Sequence, residues 1–108
     1  PGIADDRLAA LYKQRGDHIF LIYEWDRVLS DYNRAINLNE NYADAYFARG
    51  VLFYTQGPRP NALSDFRQFL ELAPEAPRAD AAQAYIDSIE QELNALNGDD
   101  IAPFGPSS

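Results

Sequence analysis

Apolar residues in this chain recur at intervals of three and four, the period of an amphipathic helix. The clearest stretch runs from Asp44 to Pro74. Tyr46, Gly50 and Phe53 fall at helical spacing over residues 44–56, and Ala62, Phe66, Phe69 and Leu70 form one stripe over residues 60–72. Gly57 and Pro58 break the chain between the two helices, and Pro74 stops the second. Gly50 and Ala62 lack bulk, so the pattern predicts that the helix axes come closest there, with Tyr46, Phe53, Phe66 and Phe69 filling the space on either side. One helix pair cannot bury its apolar faces alone, so the pattern requires neighbours.

A shift of 34 residues reveals one. It places Tyr12 on Tyr46, Arg15 on Arg49, Gly16 on Gly50, Ile19 on Phe53, Val28 on Ala62, Tyr32 on Phe66, Ala35 on Phe69 and Leu38 on Leu72. The first helix of this upstream pair is expected to start near Asp5, where Asp5 and Asp6 meet the positive end of the helix dipole. Leu8, Leu11, Tyr12, Ile19 and Ile22 are expected to form its apolar face. A turn is expected over Tyr23 to Asp26 without the help of Gly or Pro, because Val28, Tyr32, Ala35 and Leu38 need the same return path as their counterparts. The alternative is that the two helices fuse into one long helix and swap between copies. In the linker 39–42, asparagines take the place of a closing proline.

Beyond Pro74 the repeat fades into a single helix over residues 79–96. Its apolar face is Ala79, Ala82, Ile86, Ile89, Leu93 and Leu96; its polar face is Asp80, Gln83, Asp87, Glu90, Gln91 and Asn94. That division suits a solvating cap on an open-ended stack. Gly98 reads as the stop, and the Pro, Gly and Ser content of residues 99–108 reads as a flexible acidic tail, with Ile101 and Phe104 as the residues that could fold back.

The order Tyr46-x2-Arg49-Gly50-x2-Phe53, Ala62-x3-Phe66, Pro74 resembles the tetratricopeptide repeat, in which an aromatic, two residues, Leu-Gly, two residues and Tyr precede Ala-x3-Phe and a closing Pro. The departure is Arg49 in place of Leu, and Arg15 repeats it. The resemblance implies an all-α fold, a right-handed α-α superhelix of two helix-turn-helix repeats (9–42 and 43–76) and a capping helix (79–96), within one domain spanning 1–98. It also implies a non-catalytic protein-interaction module that holds a partner peptide or helix in a concave groove. By that resemblance the groove positions are Lys13, Asp17 and Phe20, then Phe47, Val51 and Tyr54, then Arg78 and Tyr85; Phe47 and Val51 are either open or covered by the capping helix. Lys13 fits the carboxylate clamp of chaperone-binding members, but Asp17 and Ala48 stand where its asparagines belong, so chaperone-tail binding is not expected. The alternative role is structural, as the capped end of a longer array or a self-associating unit.

Charge narrows the partner. Of the net −8, residues 1–74 carry −2 and residues 75–108 carry −6, so the acidity sits on the last helix and tail. Nucleic acid and anionic membrane are poor partners there, and no segment is long and apolar enough for membrane insertion. The chain has no cysteine, and its start at Pro1 without Met reads as a trimmed or excised chain, so localisation stays open with the cytoplasm slightly favoured. No catalytic, metal or cofactor constellation emerges. His18 and its neighbour Asp17 point about 100° apart on a helix, and the paired acids Asp5/Asp6 and Asp99/Asp100 lie in a helix start and a tail.

Two further expectations concern particular residues. Arg15 and Arg49 are each followed sixteen positions later by an acid, Asp31 and Asp65, which predicts a repeated ion pair across each helix hairpin, with the arginine stem on an aromatic ring. The run Ile19-Phe20-Leu21-Ile22-Tyr23, followed by Trp25, is apolar on more faces than one neighbour covers, which predicts a sticky N-terminal edge; the candidates to cover it are upstream repeats, a partner protein or a second copy, and of these self-association, as a homodimer through the first helix, is expected.

Overall fold

The computed structural model describes residues 3–20 and 24–96, with the side chains of Ile3, Ile19 and Phe20 excepted. Those residues form five helices, α1 (Ile3–Phe20), α2 (Trp25–Leu38), α3 (Ala43–Gln56), α4 (Arg59–Leu72) and α5 (Ala79–Leu96), and no strand. Each helix packs against the next in the chain. The stops follow the local chemistry. Gly57 closes α3 with φ of 82°, a left-handed conformation that suits Gly, while its N–H donates to the Phe53 carbonyl. In the linker 39–42 the Asn39 side chain accepts the Asn41 N–H at 3.0 Å, so an asparagine does serve the turn. The Tyr46 hydroxyl pins the same linker by donating to the Glu40 carbonyl at 3.0 Å.

Close approach within each pair depends on glycine. A Cβ built on Gly50 would lie 2.9 Å from the Phe66 ring, and one built on Gly16 would lie 2.7 Å from the Tyr32 ring. Tyr32, Phe66 and Phe69 are almost wholly buried, as is Ala62. The duplicated small residue therefore sets the depth to which a duplicated ring can sink.

Both arginines meet the predicted acids in the bidentate geometry that a guanidinium and a carboxylate favour. Arg15 donates from Nε to Asp31 Oδ2 at 2.8 Å and from Nη2 to Asp31 Oδ1 at 2.6 Å. Arg49 repeats this with Asp65 at 2.8 and 2.7 Å, and its Nη1 reaches back to Asn33 Oδ1 at 2.8 Å, tying α3 to α2. The stems lie by aromatic rings: the Arg15 guanidinium is 5.4 Å from the centre of Tyr12, and that of Arg49 is 5.7 Å from Tyr46.

Four expectations need correction. First, α1 starts at Ile3 rather than near Asp5, since nothing in Ile3 or Ala4 opposes a helix. Second, Leu8 and Leu11 are 42% and 60% exposed, and it is Ala9 and Gly16 that α1 buries, because α2 covers the small-residue face and nothing among the described residues covers the leucines. Third, Leu96 is 79% exposed at the end of α5, one turn past Leu93, the last residue that packs on the core. Fourth, Trp25 and Asp26 already belong to α2, and α1 packs on α2 within the chain, which excludes the fused helix. Trp25 is half-buried against the cluster of Val28, Tyr32 and Leu52. Residues 21–23, which carry part of the expected sticky run, and residues 97–108, with Gly98, Ile101 and Phe104, lie outside the described residues.

Candidate partner-binding groove

The core of the second pair places the candidate groove. Ala82, Ile86 and Ile89 anchor α5 in the cluster that holds Phe66 and Phe69. One step around the helix from that buried stripe lie Ala81, Tyr85, Ser88 and Glu92, which α5 therefore presents alongside α3. Tyr85 stacks on Phe66 with 4.5 Å between ring centres and 2° between planes, and meets Tyr54 edge-on at 4.8 Å. The Tyr54 hydroxyl and Ser88 Oγ share a hydrogen bond at 3.2 Å.

Between these residues lies an open channel of about 380 Å³ lined by Tyr54, Ala81, Ala84, Tyr85 and Ser88. Two alanines and a serine form the low wall and two tyrosines the high one. Tyr54 also borders a second hollow, of about 580 Å³, lined by Thr55, Gly57, Arg59, Glu92, Ala95 and Leu96. There the Arg59 guanidinium lies 4.2 Å from the Tyr54 ring centre, its Nε donates to the Tyr54 carbonyl at 2.6 Å, and its Nη1 pairs with Glu92. The Tyr54 side chain thus has contacts on both sides, the Arg59 guanidinium on one and Tyr85 and Ser88 on the other.

Of the eight sequence-predicted residues, the seven whose side chains are described do not form one continuous surface. Tyr54 and Tyr85 come together in the channel, and Val51 is half-buried against the same core. Phe47 is 8% exposed, edge-on to Phe66, Phe69 and Tyr85, with the Arg78 guanidinium 5.1 Å from its ring centre. Of the two alternatives for Phe47, the structure has the covered one, with Arg78 as part of the cover. Lys13 and Asp17 form a pair of their own on α1, at 2.7 Å. The side chain of Phe20 lies outside the described residues. Sequence reasoning overlooked Ala81, Ala84 and Ser88; their spacing of three and four beside the buried stripe was the available signal.

Asp17 has a second, internal duty, since it accepts a hydrogen bond from the buried Tyr32 hydroxyl. Burial first, and Asp17 second, push the Tyr32 phenol well above its ordinary 10.0. A folded-state value above the unfolded one means that the neutral phenol contributes stability in full below pH about 10, and that this is lost as pH rises beyond it. Tyr32→Phe is expected to cost about 1 kcal/mol at neutral pH and to flatten the alkaline loss measured by urea melts from pH about 8 to 11. Tyr42 and Tyr46, raised by burial in the same direction, keep that loss from vanishing.

Among the described residues, no group of His, Asp and Glu could hold a metal ion, and no helix is long and apolar enough to cross a membrane. His18 is exposed.

Comparison with known proteins agrees with the repeat geometry. Residues 24–57 match the family model for the TPR repeat; the matched window runs from the start of α2 to the glycine after α3, the same 34-residue unit cut at a different phase. A TPR repeat-containing protein of Methanocaldococcus jannaschii is 26% identical over 87 residues, covering 80% of this chain and 13% of the relative. The chain thus spans about an eighth of that relative's length. No solved structure matches it. Five helices in hairpin succession, a Tyr/Arg/Gly cluster repeated at 34 residues and these two matches together support a tetratricopeptide-repeat domain.

Proposed function

We propose that this domain binds a segment of a partner protein, a helix or an extended peptide, in the groove between α3 and α5. The repeats span 9–42 and 43–76, and α5 acts as both the cap of the stack and one wall of the site. The observation that carries the reading is the channel itself: an open, uncharged cleft of about 380 Å³ between a tyrosine pair and a row of small residues. Such a cleft takes an apolar side chain. Aromatic walls bury that side chain, and the Tyr54 and Ser88 hydroxyls offer polar contacts at its edge. Lys13, Asp17 and Arg78 have internal partners, so the selectivity of the site comes from its apolar centre. That composition favours an apolar anchor residue over a highly charged ligand, and nothing in it suggests catalysis.

Selection from a displayed peptide library against the immobilised domain tests the reading. Peptides enriched on the native chain should carry a recurrent large apolar residue. Ala84→Arg, an exposed position whose substitution leaves the core untouched, should weaken them at least about tenfold by filling the channel. Failure to enrich any peptide, or binding indifferent to Ala84→Arg, would count against the groove.

A further inference from the structure

The channel and the larger hollow are two parts of one strip. On α5, Ala81, Tyr85, Ser88, Glu92 and Ala95 recur at intervals of four, three, four and three, so they share one helix face. The first three positions line the channel of about 380 Å³, the last two line the hollow of about 580 Å³, and Tyr54 of α3 borders both. The strip stays open to its end, where Ala95 is exposed and Leu96 is 79% exposed. The chain therefore leaves α5 at the rim of the hollow.

The residues that come next have the spacing to fill both cavities. Residues 97–108 lie outside the described residues, and their sequence holds two large apolar side chains, Ile101 and Phe104, around Ala102-Pro103. Pro103 fixes its own φ and biases Ala102 away from the helix, toward a polyproline-like extended backbone. With three residues per turn, that backbone puts Ile101 and Phe104 on the same side, about 9 Å apart. Along α5, Tyr85 and Glu92 are seven residues apart, as are Ser88 and Ala95, which is about 10.5 Å. The two spacings agree. The level agrees as well, since a reversal at Gly98 followed by three such residues sets Ile101 back by about 9 Å, beside Glu92, and three more bring Phe104 to Tyr85.

We propose that residues 98–104 of this chain fold back along α5 as an internal occupant of the α3/α5 groove, with Ile101 in the hollow by Ala95 and Leu96 and Phe104 in the channel between Tyr54 and Tyr85. A segment already biased to this backbone loses little entropy on docking, and an aromatic-lined groove is what such a segment fits. Charge keeps the hold weak. Asp99 and Asp100 fall near the C-terminal end of α5, whose dipole and whose Glu92 disfavour acids, and the nearby Arg59 is already shared between Glu92 and the Tyr54 carbonyl. The segment is thus held by two apolar anchors and opposed by its acids, so a partner can displace it. Until it does, the partner's apparent affinity falls in proportion to the fraction of chains whose groove is free. This regulation rests on the reading of the groove as a binding site, whereas the occupancy itself is measured without any partner.

The chain has no cysteine, so Ser107→Cys carries a single nitroxide on the full chain, and paramagnetic broadening of amide signals reports where the segment lies. The expected result is broadening along α5 as far as residues 79–85, lost both in Phe104→Ser and in Ala84→Arg, with the amide shifts of α1 to α4 otherwise unchanged as the check on the fold. Peptides selected on the groove should also bind Phe104→Ser at least about threefold more tightly than the native chain. Broadening confined to the residues next to Leu96, or left unchanged by Phe104→Ser, would overturn the proposal. So would broadening of an isotope-labelled, nitroxide-free chain mixed with the nitroxide-bearing one, which would assign the segment to a second copy, or equal peptide affinity for the native chain and Phe104→Ser. Broadening that reaches residues 79–85 without any selectable peptide supports the internal occupant and counts against the partner reading; a selectable peptide without that broadening does the reverse.

Discussion

Gly50→Leu is expected to destabilise the chain by about 3 kcal/mol, a fall of roughly 12 to 24 °C in the melting midpoint of a domain this size. The direction is not trivial, because two effects oppose each other at this position. Glycine in mid-helix is less favourable than alanine by about 1 kcal/mol, so at an open site adding a side chain would stabilise. Gly50 is not an open site: even a lone Cβ would sit 2.9 to 3.1 Å from three carbons of the Phe66 ring, and Phe66 is itself fully buried with no room to retreat. Overpacking therefore wins, already for Gly50→Ala and more strongly for Leu. A series of Gly50→Ala, Gly50→Leu and each combined with Phe66→Leu resolves the cause. Shrinking the ring should recover part of the loss, giving a coupling between the two sites, whereas a melt of Gly50→Leu unchanged from the parent would reject this contact.

A close approach at Gly50 was legible in the sequence because the small residue occurs twice, although the sequence pairs it with Ala62 and the structure sets it against the Phe66 ring. Gly16 and Tyr32 repeat the relation of Gly50 and Phe66 at the same separation, and a duplicated small residue opposite a duplicated ring has few explanations other than close packing. The two Arg–Asp pairs were legible for the same reason. The faces of α5 could be read from period alone, since Ala82, Ile86 and Ile89 lie on a clean stripe. What could not be read depended on which neighbour lies where. The heptad-like spacing of Leu8 and Leu11 looks the same whether or not another helix covers it, so their exposure follows from the absence of a neighbour among the described residues and not from any local signal. The cover over Phe47 depends on the rotation of α5 about its axis, which decides whether Tyr85 or an alanine faces α3. The small-residue wall of the groove escaped notice because alanines at 81 and 84 carry no weight in a polar-face reading until Tyr54 and Tyr85 give them something to stand beside.

The second large effect concerns Arg49, where family resemblance and local physics disagree about the outcome. Leucine is the residue usual at this position in tetratricopeptide repeats, so a consensus argument predicts that Arg49→Leu is harmless or stabilising. The structure predicts a loss of about 3 to 5 kcal/mol, because the substitution strands Asp65, whose side chain is 5% exposed and whose two oxygens accept Nε and Nη2 of Arg49. Burial already raises the Asp65 carboxyl above its ordinary 3.8 despite the guanidinium beside it, which pulls the other way. Without Arg49 only the burial remains, and the raised value climbs further. The sign follows: with the folded-state value above the unfolded one, protonation favours the folded form, so the deficit of Arg49→Leu should shrink as pH falls toward about 4 and grow again as pH rises through the carboxyl's folded-state value. Arg49→Leu combined with Asp65→Ala removes the stranded charge and should regain most of the stability with little of that pH dependence, since an apolar replacement of a buried pair is often near neutral. The part not regained reports the Nη1 bond to Asn33, which ties the two repeats together. Arg15→Leu should be milder, because Arg15 is largely exposed and water reaches Asp31 once the guanidinium is gone. Urea melts of the single and double variants at pH about 4, 5 and 7 decide the matter: an Arg49→Leu chain as stable as the parent at pH 7, or a double variant no better than the single, would show that the pair does not carry the load assigned to it.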